Sequence, residues 1–271
     1  MLMVEGGELN LDDPATDHLP ALDFDTNGAT VRQLLGMRSG IPDFEDAILD
    51  SVATDRRRRW TPTDVLDLVG DDRSPAGDSF EYSSTNYVLL GLILEQVRGQ
   101  AVAEILRDGV LADVEGMERL IYQPDEVPTE PMAMTDGESS AALEQGGGYL
   151  PSLAGATAAG AAGGMSSDSP TLARWWRAFC AGEVVSVASL TEMATFDDGY
   201  GLGLYAINDD GHNEIVDPYE SGVGHPGGHI GFASSAACLP EDRLVVVVLS
   251  NGSLGDIGAI ALTLADTARS T

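Results

Sequence analysis

The stretch Phe80-Glu81-Tyr82-Ser83-Ser84-Thr85-Asn86-Tyr87-Val88-Leu89-Leu90-Gly91 joins a helix start to a chemically equipped loop. Val88, Leu89, Leu92, Ile93 and Val97 recur at helical spacing, so Ser84 to Val97 is predicted to be a mostly buried helix, with Gly99 just past its end. Ser83 or Ser84 is then the N-cap and Tyr82 a packing aromatic. A sharper reading makes Tyr82 a phenol held beside a reacting hydroxyl, with a nearby cation lowering its pKa enough for general-base work. These residues alone leave both readings open.

Upstream, Val4 to Gly7 reads as the last turn of a helix closed by Gly6-Gly7, followed by an acidic turn at Asp12-Asp13-Pro14. Thr30 caps a short helix in Thr30-Val31-Arg32-Gln33-Leu34-Leu35-Gly36, and Thr61-Pro62 starts another. Downstream, residues 123–165 are rich in Pro, Gly, Ala and Ser and read as a long excursion with turns that wraps a site. Thr171 to Ala181 reads as a helix carrying Trp175, Trp176 and Phe179. Three strands are then expected, at Gly201–Ile207, Gly231–Leu239 and Arg243–Ser250, before a closing helix at Ile257–Ala268. Helices, then an antiparallel meander, then a helix define an α+β chain: mainly helical over about 1–195, with sheet strands and the closing helix over about 196–271.

Composition narrows the chemistry. The 271 residues carry 14 Lys+Arg against 44 Asp+Glu, a formal charge of −30, and all the basic residues are arginine. Without lysine there is no P-loop and no Schiff-base chemistry, because a guanidinium stays protonated at ordinary pH. The acidic balance argues against nucleic-acid or anionic-membrane partners, which need a positive surface. Arg56-Arg57-Arg58-Arg59 reads as a solvated patch or a site for a small anion. Leu244 to Leu249, the longest apolar run, is too short to span a bilayer. Cys180 and Cys238 lie far apart and read as buried thiols, which leaves the compartment undecided.

The second chemical stretch is Gly224-His225-Pro226-Gly227-Gly228-His229-Ile230-Gly231-Phe232, leading into a strand. A pairing of His225 with His229 on a metal is set aside, because the proline and glycines forbid a helix that would bring them onto one face. The glycines instead permit a ligand to approach the backbone, whose N–H groups are free to face an oxyanion. No Gly-x-Ser-x-Gly elbow occurs, and Gly146-Gly147-Gly148 lacks dinucleotide-binding spacing.

In this order, these segments resemble the β-lactamase-related serine hydrolases: class C β-lactamases, D-alanyl-D-alanine carboxypeptidases of the penicillin-binding type, and related esterases. Val4 to Pro14 is similar to the end of that family's nucleophile helix, and Thr30 to Asp43 to its "LLTHTSGLPD" run. Tyr82 to Gly91 resembles the Tyr-x-Asn loop and following helix, Ala162 to Ser167 the close of the helical region, and His225-Pro226-Gly227-Gly228 the His-x-Gly variant of the Lys-Thr-Gly strand. The resemblance implies one domain, 1–271, of β-lactamase/transpeptidase-like fold, with a helical region packed on an antiparallel sheet. It implies acyl transfer on an amide, lactam or ester by a Ser-x-x-Lys nucleophile, without metal or organic cofactor. Tyr82 would be base or proton shuttle, His225 the electrostatic support, Ser84 a substrate contact, and Gly227 and Gly228 the approach to an oxyanion donor. The partner would be a small-molecule or peptide-like acyl substrate. The oligomeric state stays open, as does the compartment, although many relatives work in the periplasm or outside the cell.

Three departures stand out. No Ser-x-x-Lys occurs, Ser84 replaces the family's Asn, and Pro226 replaces a hydroxyl residue, which leans away from penicillins and toward esters or unusual amides. The resemblance places the nucleophile about three helical turns before Met1. The expectation is therefore that Met1 is an internal methionine of a longer protein lacking its first strands here, which would leave Leu244 to Leu249 as an apolar sheet edge. The competing reading is a non-catalytic relative that keeps the cleft as a binding or regulatory module.

Overall fold

The computed structural model describes residues 1–128, 132–134, 152–207, 222–239, 243–252 and 257–270. The helices are α1 (Leu2–Glu5), α2 (Ala15–His18), α3 (Val31–Leu35), α4 (Glu45–Thr54), α5 (Pro62–Leu66), α6 (Thr85–Arg98), α7 (Val102–Asp108), α8 (Leu153–Gly163), α9 (Ser169–Cys180), α10 (Val187–Met193) and α11 (Ile257–Arg269). A small sheet pairs β1 (Ile121–Tyr122) with β2 (Met165–Ser166). The main antiparallel sheet runs β3 (Tyr205–Ile207), β4 (Gly222–His229), β5 (Phe232–Leu239) and β6 (Leu244–Ser250), each beside its sequence neighbour. This is the expected α+β arrangement of a helical region followed by a meander.

Local signals account for the helical region. Thr30 and Thr61 each accept an N–H of the first turn and close reciprocal capping boxes with Gln33 and Asp64, and Pro62 sits at the first helical position, where its missing N–H costs nothing. The central helix α6 buries Val88, Leu89, Leu90 and Ile93 and stops at Gly99, whose φ of 65° is left-handed. The alanine- and glycine-rich segment expected to be an irregular excursion contains helix α8 instead. Small residues read as turn signals, but here they are an interface: a Cβ at Gly91 of α6 would lie 2.6 Å from that of Ala161, so only glycine lets the two helices approach this closely.

The sheet is covered on both faces. Val223, Ala236 and Cys238 share a face and join a core with Trp176 and Phe179 of α9. Ser235 and Ala237, one residue out of phase, are also buried, and α11 packs on β5 and β6. Packing α9 on β5 corrects the reading of the cysteines: Cys180 and Cys238 form a disulfide, with Cα atoms 6.6 Å apart. A separation of 58 residues hides the pair in sequence, and only tertiary packing brings it together.

Among the described residues the main sheet has four strands where the residue pattern gives three. The pattern of Gly224–Phe232 reads as a turn-rich lead-in, and only the resemblance to the Lys-Thr-Gly strand marks it as a strand; Gly222–His229 pairs with β5 from Val223↔Cys238 to His229↔Phe232. Gly231, at φ 76°, makes the tight turn between them. The first expected strand, 201–207, shortens to Tyr205–Ile207, whose ladder with β4 covers Gly222 to Gly224. Beyond Gly224, β4 has no partner strand on that edge among the described residues. At the other end, β6 has a partner on one side only among the described residues, so Leu244 to Leu249 forms the apolar edge that was expected. No helix among the described residues is long and apolar enough to cross a membrane.

Candidate active site

The open edge of β4 faces the loop before α6, and two aromatic groups from these elements mark the cleft between them. The rings of Tyr82 and His225 lie 6.2 Å apart, with Tyr200 and Tyr205 closing around the imidazole at 6.0 and 5.0 Å. Phe80 packs on Tyr200 at 5.3 Å. Tyr82 and His225, chosen from distant segments of the sequence, thus meet. Tyr200 and Tyr205 were missed as site residues, although Tyr200-Gly201-Leu202-Gly203-Leu204-Tyr205 bears an aromatic at each end, a usable signal.

The helical wall is fastened by buried polar groups. Ser39 Oγ donates to Asn86 Oδ1 (2.5 Å), and the Met37 sulfur accepts the Ser83 N–H and the Asn86 amide, both at 3.4 Å. Met37 holds a left-handed φ of 57° and accepts the Glu81 N–H through its own carbonyl. Ser84 starts α6 through its backbone and makes no side-chain cap. Its N–H goes to Asp43 (3.0 Å) and its hydroxyl donates to Glu45 (2.9 Å). A carboxylate on the first N–H groups of α6 suits the positive end of the helix dipole. The Ser84 hydroxyl placed to replace the family's substrate-holding amide is thus committed to Glu45.

The surroundings of Tyr82 reinforce its protonated state. Its ring is 45% exposed, yet partial burial raises the phenol's pKa well above the ordinary value, and Tyr205, Tyr87, Glu45 and Asp43 push the same way. The nearby cation expected to lower it is replaced by acidic neighbours. Tyr82 carries its proton at neutral pH.

On the sheet wall, the ladder fixes which backbone groups face the cleft. Counting from the two-residue turn at Ile230-Gly231, alternation points the N–H and C=O of His225, Gly227 and His229 toward β5, and those of Gly224, Pro226 and Gly228 away from it. Proline is tolerated at 226 because the N–H it lacks would have faced the unpaired side. Gly224 is used by Tyr205 of β3, and the Pro226 carbonyl lies 2.5 Å from His225 Nδ1. Gly228 remains exposed, with nothing within 4 Å of where a Cβ would stand. At Gly227 a Cβ would instead strike Ser234 Oγ.

His225 and His229 correct one step of the sequence argument. Residues i and i+4 share a face on a strand as well as on a helix, but about 13 Å apart, so the two rings still do not form a metal pair. His229 instead bonds to the Gly155 backbone of α8, and burial lowers its pKa. Burial also lowers that of His225, which is neutral at pH 7. The arginine island is put to structural use in part: Arg59 donates to the Pro124 carbonyl (2.6 Å) and Arg58 lies 3.5 Å over the Trp60 ring.

The fold matches known proteins. The family model described as beta-lactamase matches residues 1–268, and the chain belongs to that family. Protein flp of Staphylococcus aureus (strain MW2) is 33% identical over 111 residues, a match that spans 39% of this chain and 22% of flp. Among solved structures, a D-stereospecific amidohydrolase from Streptomyces sp. superposes with a TM-score of 0.79 at 25% identity, over 97% of this chain and 81% of that one. An octameric penicillin-binding protein homologue from Pyrococcus abyssi gives 0.78 at 26% identity, over 100% and 63%. The chain therefore has the β-lactamase/transpeptidase-like fold shared by amidases and penicillin-binding proteins.

Proposed function

We propose that this chain carries the acyl-binding part of a β-lactamase-family hydrolase site, for an amide or ester, with the Ser-x-x-Lys pair of the chemistry not contained in these 271 residues. The observation that carries the reading is the meeting of Tyr82 and His225 beside Gly228, whose edge of β4 has no partner strand among the described residues. A carbonyl lying along β4 would accept the Gly228 N–H as an oxyanion donor. His225 would support the developing charge, and Tyr82 would hand its proton to a leaving group. For Tyr82 to act as a base, a cation must offset Asp43 and Glu45, and no lysine of this sequence can supply one. Amides of D-amino acids are the favoured ligand class, since the Streptomyces relative is a D-stereospecific amidohydrolase.

The second reading is a relative that binds acyl compounds without turning them over. It is favoured by the engagement of Ser84 with Glu45 and by the raised pKa of Tyr82. Purified 271-residue chain incubated with a chromogenic lactam, a nitrophenyl ester and a D-aminoacyl anilide tests both. The expected result is no turnover above buffer. Turnover abolished by Tyr82→Phe would show that the chain is a complete catalyst and overturn the proposal that its chemistry needs residues from elsewhere.

A further inference from the structure

Tyr200 is buried, 3% exposed, and its hydroxyl stands between two partners. On one side is His225 Nε2 at 3.4 Å, and on the other is the Tyr87 hydroxyl, close enough to couple to it electrostatically. Tyr87 in turn donates to the Leu35 carbonyl (3.2 Å). Counting protons along this chain leaves few choices. A carbonyl only accepts, so the Tyr87 proton is committed to Leu35 and the Tyr87 oxygen can only accept from Tyr200. At the other end the Pro226 carbonyl fixes the hydrogen on His225 Nδ1, which leaves Nε2 of the neutral ring bare. Tyr200 therefore has one proton and two acceptors.

We infer that Tyr200 is a positioning residue for His225: its phenol donates to bare Nε2 when the imidazole is neutral, and swings that bond to Tyr87 to accept from Nε2–H when the imidazole is protonated. Both charge states then keep Nε2 bonded, and the ring orientation across the cleft from Tyr82 is held in each. Among the described residues, the other groups facing the imidazole are the phenols of Tyr82, from the loop before α6, and Tyr205, from β3. The carboxylates on the adjoining segments are engaged elsewhere, Asp197 and Asp198 by Arg38 and Asp43 and Glu45 by Ser84. The inference rests on the reading of His225 as the residue that supports the cleft, but its test is made on the free chain and does not depend on turnover or ligand binding.

The sequence has four histidines, so long-range nitrogen-15 NMR of the imidazoles resolves each tautomer and titration. In the native chain, His225 should be the Nδ1–H tautomer at neutral pH; an Nε2–H tautomer would overturn the inference outright. Tyr200→Phe should lower the His225 titration by about one pH unit, because a hydrogen bond to the charged ring outweighs one to the neutral ring. Tyr87→Phe should lower it by less, because it removes only the acceptor that frees Tyr200. Tyr205→Phe keeps the ring contact and should leave it unchanged. If Tyr200→Phe moves His225 no more than Tyr205→Phe does, packing alone holds the ring and the inference is wrong. If Tyr200→Phe fails to fold, the native tautomer and Tyr87→Phe still decide.

Discussion

The two walls of the cleft are built on opposite principles. The helical wall is held by short-range devices: capping boxes at Thr30 and Thr61, the left-handed turn at Met37, the buried Ser39–Asn86 bond, and Asp43 and Glu45 on Ser84 beside the Tyr82 loop. The sheet wall is a strand of glycines and a proline that has almost no strand propensity of its own and exists because β5 pairs with it. A wall rich in its own bonds can present a side chain in one orientation. A wall of bare backbone can present N–H groups and let a ligand approach closely. Acyl transfer needs both.

The contrast is sharpest where it is most costly to break. Asn86→Ala should destabilise the chain by about 3 kcal/mol in urea unfolding, through a cavity and an unpaired Ser39 hydroxyl in a fully buried site. On the sheet wall the effect should depend on which glycine is touched. At Gly224 an added side chain runs into the Ala236 carbonyl and the Ala237 backbone, so Gly224→Val should cost about 2 kcal/mol. Gly228→Ala should stay within about 0.5 kcal/mol of the parent, since nothing lies within 4 Å of where its Cβ would stand. Equal losses at 224 and 228 would mean that the space beside Gly228 is filled.

A single cap outside the cleft gives a comparison that depends on neither wall. Asp168 accepts the Thr171 N–H (2.8 Å) at the start of α9, and its bonds to Thr171, then Arg119, lower its pKa to about 2. Asp168→Ala should cost about 1 kcal/mol at neutral pH. Because the folded pKa lies below the unfolded one, that stabilisation is present above about pH 4 and fades as the pH falls toward 2. Unfolding curves of the two proteins should therefore converge in acid; a gap that persists at pH 2 would assign the loss to something other than the carboxylate.

The same division explains what the sequence shows. Apolar spacing and cap residues are local, so α3, α5, α6 and the closing helix are readable, and so are Tyr82 and its loop. Strand β4 and helix α8 are not, because Gly-Pro-Gly-Gly and an Ala-Gly run signal turns, and only pairing with β5 and packing against α6 override them. The Cys180–Cys238 bond is hidden for the same reason. The rise of the Tyr82 pKa comes first from burial and then from Tyr205, Tyr87, Glu45 and Asp43, a packing environment that no local pattern discloses.

The most direct test of a cleft that binds acyl compounds between Tyr82, His225 and the Gly228 edge is a titration of the 271-residue chain with D-phenylalaninamide, following the imidazole NMR signals. Saturable movement of the His225 signals, with those of His18 unmoved and the effect lost in Gly228→Pro, which removes the edge N–H, is the predicted result. Binding that leaves His225 unperturbed, or that survives unchanged in Gly228→Pro, would contradict it.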